Sequence, residues 1–150
     1  MLRHPKTWIL IADGARARIL EYHGPGKPPT EVEGHAYVGD HSATGELMSD
    51  SAGRTHQSVG PGRSAIEGHS DAHRQLKVDF AKRLATTLDL ELSRGAYDKL
   101  VIAAAPVTLG DLRPMLSDHV RKKIVGEVAM DLTKTPNSEI MAHLGGIMLA

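Results

Sequence analysis

The stretch DAHRQLKVDFAKRLATTLDLELSRGAYDKLVIAAAPVTLGDLRPM, residues 71–115, decides the fold. Leu76, Phe80, Leu84 and Leu88 recur every fourth residue within it, the spacing that lines one face of an α-helix. Ser70 and Asp71 in front are N-cap residue types, and Gly95 is a stop signal. KLVIAAA, Lys99–Ala105, comes next as an unbroken apolar run closed by Pro106, the pattern of a buried strand. A short helix then reads over Leu109–Met115, limited by Pro114. An amphipathic helix feeding a buried strand and a further helix points to the α/β class.

Towards the N-terminus, Thr7–Asp13 predicts another buried strand: Trp8, Ile9, Leu10 and Ile11 run together until the turn signal Asp13-Gly14. Ala15–Tyr22 then alternates, Ala15, Ala17 and Ile19 against Arg16, Arg18 and Leu20. It predicts an antiparallel hairpin partner with its arginines facing outward. Past the breaker HGPGKPP, Thr30–Val38 supplies a weaker third strand. Towards the C-terminus, Ser117 is positioned to cap a short helical turn. Ile124 to Leu132 alternates as an edge-type strand, with a helix as its competitor, and Thr135-Pro136 with Glu139 opens a last helix through Leu144. The expected fold is one α/β domain over residues 1–150: a mixed central sheet of about five strands flanked by helices. A long flexible Gly-rich loop over 39–70 is expected to project from it, because Leu47, Met48, Val59 and Ile66 are its only large apolar residues.

Composition limits what such a domain does. A chain of 150 residues with 41% apolar content suits one domain with a real core. Eighteen Lys and Arg balance eighteen Asp and Glu, so no whole-molecule field draws the protein to nucleic acid or to a membrane. The apolar run ending at Asp13 is too brief for a signal-peptide core or a membrane span, and the protein is expected in the cytoplasm. With no cysteine, disulfides, thiol catalysis and thiolate-bound zinc are excluded.

The chemistry-bearing residues gather around GPGRSAIE, Gly60–Glu67. Gly60 and Gly62 let main-chain N–H groups approach a ligand, Pro61 stiffens the path between them, and Arg63 adds a forked cation suited to phosphate. From Arg54 to Arg83 six basic residues, Arg74 and Lys77 among them, face three acids; a surplus this small gives weak, salt-sensitive phosphate binding. No aromatic residue lies between Gly39 and Ser70 to stack a base. Gly60, Pro61, Gly62, Arg63, Ser64, Arg74 and Lys77 are therefore the candidate contact residues. Asp13, Gly110 and Asp111 are candidates for a cleft at strand ends, although Asp13-Gly14 also reads as plain turn chemistry and Asp111 as an N-terminal helix charge. His69 and His73 stand four apart without a third ligand, so no metal centre is expected. Ser64 has neither an adjacent base nor a G-x-S-x-G elbow, and GPGR lacks the Gly-Lys-Ser/Thr of a phosphate-binding loop for nucleoside triphosphates. No catalytic set and no cofactor emerges.

TWILIADGARARILEY, GPGRSAIE with DAHRQLKVDFAKRLA, YDKLVIAAAPVTLGDLRPMLS and AMDLTKTPNSEIMAHL, taken together and in order, resemble the bacterial host-attachment proteins over nearly the whole chain. The order of hairpin, third strand, Gly-rich loop, long helix and buried strand is more distantly similar to the central domain of archaeal and eukaryotic class-1 release factors. That domain carries a Gly-Gly-Gln loop which promotes peptidyl-tRNA hydrolysis on the ribosome. Here Pro61 stands at the first glycine, Gly62 matches the second, Arg63 replaces the glutamine and Ser64-Ala65 match the two residues after it. The resemblance implies a partner such as the ribosome or structured RNA. The lost glutamine and glycine oppose peptide release, and a non-catalytic protein-interaction or regulatory role acting on surface attachment is the alternative. The sequence leaves the oligomeric state open.

Overall fold

Strand β1, Thr7–Ala12, is buried at all six positions, because it has a strand on either side and an apolar layer on either face. The computed structural model that shows this describes residues 5–39 and 62–148, with 62–70 and 148 as backbone alone. Strand β2, Arg16–Tyr22, pairs antiparallel with β1 from Thr7↔Tyr22 to Ala12↔Ala17. Strand β3, Thr30–Val38, pairs antiparallel with β2. Helix α1, Gly62–Ser93, leads to β4, Lys99–Ala104, which lies parallel to β1 on its other side. Helix α2, Pro106–Leu112, a 3-10 turn at Arg113–Met115 and the single turn α3, Asp118–Arg121, come before β5, Ile124–Ala129. Strand β5 runs parallel to β4 at the edge, and α4, Asn137–Met148, closes the described chain. The result is a mixed five-stranded sheet of order β3-β2-β1-β4-β5.

Side-chain alternation divides the core in two. Trp8, Leu10, Ile19, Leu100 and Ile102 pack with Phe80, Leu84 and Leu88 of α1 and with Leu109 and Leu112 of α2. Ile9, Ile11, Leu20, Val101 and Ala103 meet Leu132 and the α4 residues Ile140 and Leu144 on the other face. The four-residue spacing of α1 is thus its buried stripe. Its end is a Schellman arrangement: Gly95 at φ +73° lets its own N–H reach Leu92 O and the Ala96 N–H reach Glu91 O.

Several local readings need correction. Helix α1 begins at Gly62, so Ser70 and Asp71 are not its cap and the last nine residues of the expected loop, 62–70, are helical. Short polar residues are tolerated within a helix, while Pro61 is a residue type suited to a helix start. Residues 40–61, the rest of that loop, lie outside the described residues. Helix α2 starts at Pro106, which puts Asp111 one residue before its last position, far from an N-terminal charge. Arg18 does not face outward; it is half-buried against the β5–α4 connection. The alternation in β5 is broken by a register shift between Leu100↔Ile124 and Val101↔Gly126. An extra residue turns the remainder of the strand to the opposite face, so Ile124 joins the first core and Val128 the second.

Gly126 is required by α4. A Cβ at this position would run into Cγ2 of Ile147. Gly126→Ala is expected to destabilise the protein by about 1–3 kcal/mol in urea denaturation, the usual cost of overpacking. Combining it with Ile147→Ala should recover part of that loss as a coupling energy.

Candidate functional site

The first buried side chain described along α1 is Phe80. The helix from Gly62 to that point is roughly 27 Å long at the usual rise per residue, and Asp71, Ala72, Arg74 and Gln75 on it are exposed. Gly62, Arg63 and Ser64 form its opening turn as backbone, while Gly60 and Pro61 lie outside the described residues. Arg74 forks onto Asp111, Nη1 to Oδ2 at 2.7 Å and Nη2 to Oδ1. The hydrogen bond to Asp111 raises the guanidinium above its ordinary pKa. The aliphatic stem of Lys77 lies over Gly14, 2.9 Å from where a Cβ would stand; glycine at this turn serves close approach.

These contacts gather Arg74, Lys77, the Asp13-Gly14 turn and the Gly110-Asp111 segment at the carboxyl ends of β1 and β4. Asp13 Oδ1 accepts the N–H groups of Ala15 and Arg16 at 2.7 Å each, and Oδ2 accepts the Thr133 hydroxyl at 3.4 Å. The carboxylate thus holds the hairpin turn and touches the β5–α4 connection. Asp111 is occupied by Arg74, and Gly110 sits inside α2. The polar groups of the strand ends satisfy one another, and Arg74 and Lys77 remain the exposed cations of the group.

Two further features escaped the sequence reading. At the β3 side, His35 Nδ1 contacts the Tyr37 hydroxyl, its Nε2 lies 3.8 Å from Glu91, and its ring is tilted against Trp8. Arg83 lies over the Tyr37 ring at 5.4 Å. Burial raises the Tyr37 phenol above its ordinary value, with Glu91 adding to the effect. His35 and Tyr37 are two apart on one strand face, a spacing that could have suggested this joint between β3 and α1. The second feature is a cavity of about 610 Å³ at the other end of α1. Among the described residues, no cluster of three or more His, Asp or Glu is placed for a metal ion, and no helix is long and apolar enough to cross a membrane.

A mixed five-stranded sheet with helices on both faces defines a single-domain α/β protein. The chain belongs to the family described as "Protein required for attachment to host cells", whose model matches residues 8–144. No curated protein matches it significantly.

Proposed function

We propose that the protein is a non-enzymatic binding module of the cytoplasm that contacts structured RNA, such as that of the ribosome, through the start of α1 and the Gly-rich residues before it. The observation that carries this reading is the largely exposed stretch of α1 from Asp71 to Lys77, with Arg74 and Lys77 on it. Backbone positions 63, 74 and 77 fall on one stripe of a helix with 3.6 residues per turn, so three cations occupy positions from which a phosphate strand can be followed. The family's description names a phenotype, and an RNA-contacting module would act on attachment through gene expression.

The test is co-sedimentation with ribosomes, and gel shift with tRNA, over a salt series. Arg63→Ala/Arg74→Ala/Lys77→Ala together should weaken binding and reduce the log–log salt slope by about 2–3, the contribution of three phosphate contacts. Asp111→Ala, which releases Arg74 from its partner, should hold binding or strengthen it. Equal binding by the triple variant and the parent would reject the arm as an RNA contact and favour the rival, a protein-interaction partner that regulates attachment. No peptide release from ribosome-bound peptidyl-tRNA is expected, since Pro61 lacks an N–H and Arg63 stands where the release-factor loop has an uncharged amide.

A further inference from the structure

From the free edge of the sheet at β5 we infer a docking surface for an extended peptide strand of another protein, one that carries an acidic side chain. The sheet has two edges, β3 and β5. The β3 edge is guarded: its pairing shifts between Arg18 and Leu20, Gly34 takes φ +82°, and Glu31 and Glu33 are exposed. Irregularity and charge of this kind discourage strand addition. Strand β5 has its irregularity at the start only, and from Val101↔Gly126 to Ala104↔Ala129 it pairs regularly with β4. No strand lies on its outer side, and no main-chain bond from outside the sheet reaches 126–129 among the described residues. Val125 and Met130, at the two ends of this run, are exposed apolar side chains.

The groove beside this edge defines the side chain. It is open, measures about 540 Å³, and is lined by Ile124 and Glu127 of β5 together with Arg113, Pro114 and Arg121. Two guanidinium groups stand there against one carboxylate. Glu127 is engaged by Arg113, whose Nε donates to its Oε1 at 2.8 Å. Arg121 Nη2 donates to Arg113 O at 2.8 Å, a neutral acceptor, and no acid pairs with Arg121 among the described residues. The Arg121 charge is thus uncompensated in the groove, and a carboxylate that meets the free part of its fork forms charge-assisted hydrogen bonds. In strand addition the main-chain hydrogen bonds supply affinity and the pockets beside the edge read alternate side chains. A carboxylate on the added strand falls to Arg121, and an aliphatic residue two positions along covers Pro114 or Ile124. None of these residues belongs to the arm, so the two surfaces separate experimentally.

The probe is the peptide VTVEVTV, labelled with fluorescein and read by anisotropy, with VTVQVTV and a VTVEVTV that is N-methylated on alternate residues as comparisons. Saturable binding of the acidic peptide is expected, with the glutamine peptide weaker by about tenfold, the contribution of one charge-assisted contact. Arg121→Ala and Arg121→Gln should each bring the acidic peptide down to the affinity of the glutamine peptide, with the melting temperature unchanged. Arg74→Ala/Lys77→Ala and the exposed Lys134→Ala should leave binding as it is. N-methylation should abolish binding, and amide hydrogen exchange at 126–129 should slow only with the unmethylated peptide. Absence of saturable binding, or equal binding of the N-methylated peptide, would overturn strand addition at this edge. Equal affinity for the acidic and glutamine peptides, or full affinity in the Arg121 variants, would overturn the selection of an acid. A dimer in sedimentation velocity that the peptide dissociates would give the edge to a second copy of the chain and overturn the proposal.

Discussion

Replacing Arg18 by methionine is expected to lower the stability of the protein by about 2–4 kcal/mol while leaving its sheet intact. Arg18 sits on β2 opposite Ile11, beside the second core. Its Nη1 donates to Thr133 O, and its Nη2 donates to Thr135 O and, at 3.5 Å, to Leu132 O. One guanidinium therefore satisfies the carbonyls of the connection that carries Leu132, a buried plug of the second core, across from β5 to α4. Methionine keeps most of the stem and its packing but strands those acceptors. Partial exposure lets water recover some of the loss, and Arg18 Nε already lacks a partner among the described residues, so the cost stays below that of a fully satisfied buried ion. Arg18→Lys should rescue little, because a single ammonium does not reproduce the fork. Thr133→Val should cost about 1 kcal/mol, since the hydroxyl contact to Asp13 is long and its 2.6 Å bond to Asp131 Oδ1 is made in an exposed position. Urea denaturation with an unchanged m-value checks all three. Equal stability of Arg18→Met and the parent would mean that the connection is held by Leu132 alone.

The range of each interaction decided whether the sequence disclosed it or hid it. The runs TWILIA and KLVIAA were legible as buried strands because a strand covered on both faces loses its alternation, and this shows in six consecutive residues. The α1 stripe was equally local. Arg18 was not legible: its partners are main-chain carbonyls more than a hundred residues away, as with Thr133, 115 positions on, and an alternating strand gives an arginine the same appearance whether it meets water or a distant loop. The bulge in β5 was hidden for a related reason. One extra residue leaves composition and length unchanged and only exchanges faces, so Ile124 and Val128 were grouped together although they belong to different cores. The start of α1 was missed because Ser70 and Asp71 carry the cap signature inside a helix that continues past them. Of the candidate contacts, the separate pairings of Arg74 with Asp111 and of Lys77 with Gly14 bring distant sequence positions to one edge; the residue types were readable, their neighbours were not. The cavity near Lys122 and Lys123 needed the fold, since its walls come from two separated segments, 89–98 and 119–123.

Tyr97 should prove the most costly side chain to truncate. Its ring is 1% exposed, stacked on Trp8, and its hydroxyl donates to Leu88 O at 2.6 Å, the carbonyl of a residue late in α1. Tyr97→Ala removes an aromatic ring from the first core and should cost about 3–5 kcal/mol. Tyr97→Phe keeps the ring and loses only the hydrogen bond, for about 1 kcal/mol at neutral pH. The two variants separate further in alkali. Burial raises the Tyr97 phenol well above its ordinary value, with the Asp89 and Glu91 carboxylates adding to the shift. The unfolded chain ionises this phenol near pH ~10, whereas the native state keeps it protonated to higher pH. The stabilisation is therefore complete below about pH 10 and falls, by about 1.4 kcal/mol per pH unit for one group, as pH rises towards the folded value. Tyr97→Phe removes that dependence: the parent should be the more stable at pH 8, and the difference should shrink and then reverse as the pH climbs beyond about 10–11. Tyr37, raised in the same direction by its own burial, contributes equally to both proteins and cancels from the comparison. Parallel stability curves for parent and Tyr97→Phe from pH 8 to pH 11 would show that the phenol ionises in the folded protein as readily as in the unfolded chain, and the packing of β4 against the end of α1 would then be open to solvent at that ring.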